Sequence, residues 1–315
     1  MTSTTSDILW LFMAVCGLLT VLTLFGELLR ARLGPNRNNP VIETYMTRVR
    51  TWWGMVVLFS LALVSGKIGI IVLFAFASFA ALREFLTLTT KRKADHIALA
   101  LGFFVVMPLQ YVFIALGWQA LYTVFIPVYA FLMLPVISAL RGDADRFLVR
   151  VAETQWGLMI AVFCMSHVPA LLMVRVEGYP ADRGVLLIAF LIMVVQLGDL
   201  LDFFFGRRMG RTRIVPQLSA KTWEGMICGV GCAALIGGLL AWMTPFGVLG
   251  AMAMATLAST VGMFGNLVFA AIKRDRGIKD WSHLIPGHGG FVDQLDSVIF
   301  AAPVFYHITH LVWAS

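Results

Sequence analysis

An all-α, polytopic membrane protein of about ten transmembrane helices is the fold class this sequence predicts. Hydrophobic residues fill 60% of the 315 positions and charged residues only 13%, with a mean hydropathy of +0.87. That lies far outside the soluble globular range. The apolar residues also gather into windows of about 20, the length at which a helix crosses a bilayer. Lys and Arg supply a third observation, because short loops retain them on the cytoplasmic side. With the N-terminus outside, the inner loops hold all but Lys67, Arg175 and Arg183 of the 24 cations.

The first window, 8–29, has no basic stretch before it and no cleavage site after it, and reads as an uncleaved span. Next, Ile42, Tyr45, Met46 and Val49 recur at helical spacing beside Arg48 and Arg50, predicting a short interfacial helix that leads into Trp52 and Trp53. Windows 51–66 and 67–86 are short and poorly separated, and 97–117, 118–140 and 154–174 follow. Windows 185–205 and 226–244 flank the loop GRRMGRTRIVPQLSAKTWEG, and 247–272 and 291–312 flank KRDRGIKDWSHLIPGHGGFVDQLD. An even number of spans places both termini outside.

The net charge of +7 is therefore mostly topology. It favours anionic headgroups at the inner leaflet, and with no basic and aromatic platform beyond the bilayer it gives no nucleic-acid partner. Cys16, Cys164, Cys228 and Cys232 lie in apolar windows without metal-site spacing and read as small buried residues. The chain reads as one membrane domain, 1–315, whose chemistry-bearing residues gather in 185–315 and whose first part, 1–184, is a set of apolar spans.

Asp199 and Asp202 fall three residues apart at the cytoplasmic end of the seventh window, and Asp293 and Asp296 repeat that spacing at the cytoplasmic start of the tenth. A carboxylate in an apolar span is expensive unless it binds a cation or lines water. Two such pairs at one depth, beside two loops rich in Arg and Lys, suit a polyphosphate bound with divalent metal: cations neutralise phosphate oxygens and carboxylates hold the metal. Positive-inside charge alone accounts for the Arg count but not for the acids, the His or the Gly residues. Gly287, His288, Gly289 and Gly290 directly precede an apolar helix, where free N–H groups and the helix dipole would face an anion. His288 reads equally as a substrate contact or a structural donor.

The run Lys273, Arg274, Lys279, Asp280, Pro286, Gly287, His288, Gly289, Gly290, Asp293 and Asp296 resembles the C-terminal signature of phosphatidate cytidylyltransferases, the CDP-diacylglycerol synthases. The earlier loop agrees: Asp199, Gly206, Gly210, Pro216, Ser219 and Lys221-Thr222-Trp223-Glu224-Gly225 resemble that family's helix end and its S-P-x-K-T-W-E-G segment. Motif-level likeness covers roughly residues 196–300, whereas 1–184 matches only as apolar spans. Gln294 stands where the family usually has Arg, Asn266 where it has Asp, and Ala270 where it has Ser. The stretch Ser219-Ala220-Lys221 also lacks the usual Pro and one residue. Asn266 matters most, because an amide oxygen can ligate Mg2+ but removes a full negative charge.

The resemblance implies transfer of CMP from CTP to phosphatidic acid, with Mg2+ alone or with a second cation, at the cytoplasmic face of a bacterial cytoplasmic membrane. It implies a homodimer as well, which no periodic pattern in the chain demonstrates. On this reading Asp293, Asn266, Asp199 and Asp296 hold the metal. Lys273, Arg274, Lys279 and Lys221 neutralise the triphosphate, and Asp280 orients Lys279 or a second cation. Ser219, Thr222 and Glu224 line the nucleotide side, while Gly289 and Gly290 offer backbone N–H groups. A related transferase acting on another lipid phosphate is the alternative, and a transporter the remoter one, since its polar residues would spread toward the midplane. Cysteines placed at Thr212 and Ser282 should label from the same, cytoplasmic side; labelling from opposite sides would sink a shared site.

Overall fold

The computed structural model describes residues 3–33, 40–89, 92–287 and 289–314. His288 lies outside them, as do Arg37 and Lys91 of the expected inner cations. The described residues form ten helical rods and no sheet: α1 Ser3–Leu33, α2 Pro40–Val64, α3 Gly66–Thr87, α4 Lys93–Ala115, α5 Gln119–Ala139, α6 Phe147–Met173, α7 Gly184–Met209, α8 Trp223–Leu239, α9 Gly247–Asp275 and α10 Phe291–Trp313. Every expected span is thus a helix, and the protein is a polytopic, all-α integral membrane protein.

Eight of the rods are long and apolar enough to cross a bilayer. The exceptions are α2, whose first half carries Glu43, Arg48 and Arg50, and α8, with 17 residues. The expected interfacial helix is no separate element. Nothing between Pro40 and Val64 interrupts the backbone hydrogen bonds, so the amphipathic stretch continues directly into the apolar one, and Met46 and Val49 are buried. The poorly separated second and third windows part at Gly66, whose φ of +70° reverses the chain in one left-handed residue.

Three rods in the first half are not regular. Wide π turns occupy Gly102–Val106, Phe125–Ala130 and Met159–Cys164, and Pro108, Pro127, Pro135 and Pro169 lie in or after them. Proline has no N–H to donate to the preceding turn. Pro135 cannot reach Phe131 O four residues back, and in the π register Pro127 cannot reach Tyr122 O five residues back. Both bare carbonyls are taken by glutamines of neighbouring rods: Gln155 Nε2 donates to Phe131 O at 2.8 Å and Gln110 Nε2 to Tyr122 O at 2.9 Å. Inside lipid every backbone polar group needs such a partner.

At the end where the basic loops gather, Arg150 is buried rather than a loop cation. Its guanidinium meets Asp95 at 2.9 Å and donates to Asp143 O and Asp145 O, which fastens the first turn of α4 to the α5–α6 connection. The second half is a four-helix unit: α7 packs on α8, α8 on α9, and α9 on α10. Substituting Gln110 by Leu should lower stability by about 1–3 kcal/mol, since it strands Tyr122 O at a fully buried position; thermal unfolding in detergent measures it.

Candidate active site

The seam between α7 and α8 is made by small residues. Gly225, Gly229 and Ala233 recur every four residues on α8 and are all buried, the spacing that lets membrane helices approach closely; Gly237, one step on, faces α9. A Cβ at Gly229 would lie 2.8 Å from Gly198 O, and one at Gly225 would lie 2.7 Å from Asp202 O. Neither position tolerates a side chain while α7 stays where it is. Close approach brings the loop between the two rods down onto the carboxylates of α7.

The loop is organised by its own polar residues. Thr222 caps α8 by accepting from Gly225 N at 3.2 Å, the Glu224 carboxylate accepts from Arg211 N and Thr212 N, and Ser219 Oγ accepts from Lys221 N. Ser219, Thr222 and Glu224 are thus the frame that presents Lys221. The Lys221 ammonium sits 3.0 Å from Asp199 Oδ1 and 2.7 Å from Asp202 Oδ2. Burial alone would lower its pKa, but the facing Asp199 and Asp202 charges outweigh burial and raise it above the ordinary lysine value.

Two other rods meet the same carboxylate. Asn266 of α9 donates to Asp199 Oδ1 at 2.8 Å, and Ser297 of α10 donates to Asp199 while standing 2.9 Å from Asn266 Oδ1. Asp296 Oδ1 accepts from Ser297 N at 2.8 Å. Asp199, Asn266 and Asp296, expected together, are together. Ser297 was missed, although a hydroxyl directly after Asp296 in an apolar run was its signal. Asp202 also has a defined role, as second partner of Lys221.

Asp293 lies one helical turn before this cluster and belongs to a second one. Its Oδ1 is 3.0 Å from Lys273 Nζ, while Oδ2 accepts from Trp281 N at 2.8 Å and Gly290 N at 2.9 Å. Gly289 N donates to Ile285 O, and Ile285 N to Gly289 O. The N–H groups expected to face a phosphate at Gly289 and Gly290 are therefore engaged within the loop. The next two, Phe291 N and Val292 N, each donate at 3.0 Å to Glu84, a buried carboxylate of α3. The glycines are explained by the same contacts: a Cβ at Gly289, φ +86°, would lie 2.6 Å from Asp293 Oδ2, and one at Gly290 2.4 Å from Glu84 Oε2.

The first half of the chain grips this loop elsewhere too. Arg48 Nε donates to Gly287 O at 3.1 Å, Thr51 Oγ1 to Pro286 O at 3.0 Å, and Arg276 pairs with Glu153 of α6 at 2.6 Å. Trp281 stacks on Phe85, with ring centroids 5.3 Å apart. Sequence reading passed over Arg48 as interfacial and Glu84 as part of an apolar window. The rule that singled out Asp199, a carboxylate in an apolar run, applies equally to Glu84. Arg274, Lys279 and Asp280 are exposed and, among the described residues, have no ion-pair partner, so Asp280 does not orient Lys279 here.

Comparison with known proteins carries the same pattern to a family. The model of the cytidylyltransferase family matches residues 46–312, most of the chain. The chain belongs to the cytidylyltransferase family. It is 36% identical to the uncharacterised protein YnbB of Escherichia coli over 294 residues, 92% of this chain and 94% of that protein. Among family members named phosphatidate cytidylyltransferase, that of Synechocystis is 36% identical over 138 residues, 43% of this chain and 46% of its own length. The Aquifex aeolicus enzyme is 39% identical over 119 residues, 37% of this chain and 44% of its own. This chain thus matches less than half the length of either.

Gly229→Val places a branched side chain against the Gly198 carbonyl and should separate α7 from α8. A displacement of about 1 Å at Asp199 and Lys221 is worth roughly a hundredfold in turnover, and overpacking costs about 1–3 kcal/mol. Enzymatic assay and detergent melting of the same preparation give both.

Proposed function

We propose that this cytidylyltransferase-family protein transfers CMP from CTP to phosphatidic acid, forming CDP-diacylglycerol and pyrophosphate, at the cytoplasmic face of a bacterial membrane. One observation carries the reading: Lys221 with Asp199 and Lys273 with Asp293 converge from three helices and the α7–α8 loop toward one end of the bundle. A transporter site would be expected near mid-span. This cluster instead lies toward the end of the bundle where the basic loops gather.

The attacking group, a phosphate monoester, has a second pKa of about 6 and is largely ionised at neutral pH, so no general base is required. The residues instead have to hold two polyanions together, in line for displacement at the α-phosphorus. Lys221 and Lys273 are fixed against carboxylates and aimed by them. Arg274 and Lys279 are exposed at the mouth, where a triphosphate and departing pyrophosphate would enter. Because the N–H groups from Gly289 to Val292 are engaged internally, phosphates would be met by side-chain cations.

Asp199, Asp296, the Asn266 amide oxygen and Ser297 form an all-oxygen donor set, which suits Mg2+, an ion commonly held by one or two carboxylates plus substrate phosphates. Among the described residues no three His, Cys, Asp or Glu side chains converge as a metal site, so substrate oxygens would have to complete this one. Asp293 remains in the proposed ligand set through Oδ1, the oxygen free of backbone hydrogen bonds. Bound there, the ion would offset charge on the phosphates as the bond to pyrophosphate breaks. The acyl chains would stay in the bilayer and enter between helices.

Thin-layer analysis of radiolabelled CTP products should show CDP-diacylglycerol with phosphatidate only when a divalent cation is present. Activity undiminished in excess chelator would remove the metal assignment. Turnover with an isoprenoid phosphate but not phosphatidate would replace the lipid substrate. Asn266→Asp restores the charge expected from the family and should lower the Mg2+ concentration for half-maximal rate. Asp293→Asn should cost orders of magnitude in kcat, about 1.4 kcal/mol of barrier per tenfold.

A further inference from the structure

Outside the two Lys–Asp clusters, one buried acid has more donors than packing requires. Glu84 stands in α3, in a window otherwise apolar apart from Lys67, Ser78 and Arg83, and is 3% exposed. Its Oε1 accepts from Ser282 Oγ at 2.6 Å and Phe291 N at 3.0 Å, and its Oε2 accepts from Val292 N at 3.0 Å. Those two N–H groups belong to the first turn of α10, where a helix leaves its donors unsatisfied and its dipole favours negative charge.

We propose that Glu84 is a positioning residue of the active site. It seats the 276–290 loop and the first turn of α10 so that Asp293 can hold Lys273. The inference rests on the function proposed above. Glu84 sits behind the loop, and its contacts lead to the site in two steps. It fixes Phe291 and Val292, the residues directly before Asp293, and Asp293 in turn accepts from Trp281 N and Gly290 N and meets Lys273. Phe85, the neighbour of Glu84, stacks on Trp281 and closes the same loop from the other end. Gly290 lies between the two acids: it donates to Asp293, and its missing side chain leaves the space that Glu84 Oε2 fills. Because Glu84 takes the N–H groups that could have bound an anion, Lys273 becomes the cation whose placement matters most, and Glu84 controls that placement.

Glu84→Gln keeps the shape but turns an NH2 group toward a backbone N–H. In the monodisperse folded fraction, kcat should fall roughly 30- to 100-fold while KM for CTP moves less than about threefold, the signature of lost alignment rather than lost binding. Gly290→Ala should lower kcat about tenfold in the wild-type background and cause no further loss in Glu84→Ala, where its Cβ has room. Unchanged kcat per folded molecule with only a lower melting temperature would overturn the proposal, and so would additive effects in the double variant. A wild type that turns over no lipid phosphate would sink the function reading alone. Loop seating is then read without turnover, from maleimide labelling of Val292→Cys, a fully buried position, after replacement of the four native cysteines. Glu84→Gln should speed labelling at least about tenfold at unchanged melting temperature; an unchanged rate would overturn the proposal.

Discussion

A carboxylate carried into an apolar helix bundle must find donors there, because water cannot supply them and desolvation of the charge is severe. The architecture follows from meeting that demand several times at one end of the molecule. Asp199 takes Lys221, Asn266 and Ser297 from three other segments; Asp293 takes Lys273 and two backbone N–H groups; Glu84 takes a hydroxyl and the start of α10. Each acid is thereby a junction between chain segments far apart in sequence. The lysines suited to phosphates are aimed by the same contacts that make the acids tolerable.

Those junctions tie the two halves of the chain into one device. The loop with the densest charge is shaped as much by α2, α3 and α6 as by the helices it connects, through Arg48, Thr51, Glu84 and Glu153. The first half carries none of the charged motifs, yet the family model covers it from residue 46; it is the scaffold against which those motifs are set.

Much of this was legible in the sequence, for identifiable reasons. Apolar length and cation placement located every rod, since both follow from the bilayer as solvent. The i,i+3 acid pairs and the Lys-Thr-Trp-Glu-Gly stretch marked the site, and Asp199, Asn266, Asp296 and Lys221 do meet. The misses share a cause: contacts distant in sequence leave no periodic trace. Gly289 and Gly290 announced a close approach, but only the fold reveals that Glu84 and Asp293 approach them rather than a ligand. Thr222 and Glu224 carried the motif, yet their hydrogen bonds serve the loop. The π turns were hidden because hydropathy does not register a missing N–H.

The two glutamines that complete α5 bear on how the chain is built. Tyr122 O is answered from α4, already made when α5 emerges, but Phe131 O is answered by Gln155, which the ribosome adds 24 residues later. Until then α5 would meet lipid with an unanswered carbonyl near its middle. Insertion of α4, α5 and α6 as a group removes that penalty, so the order of synthesis and the geometry of one proline together set the smallest unit of this half that can enter the bilayer complete.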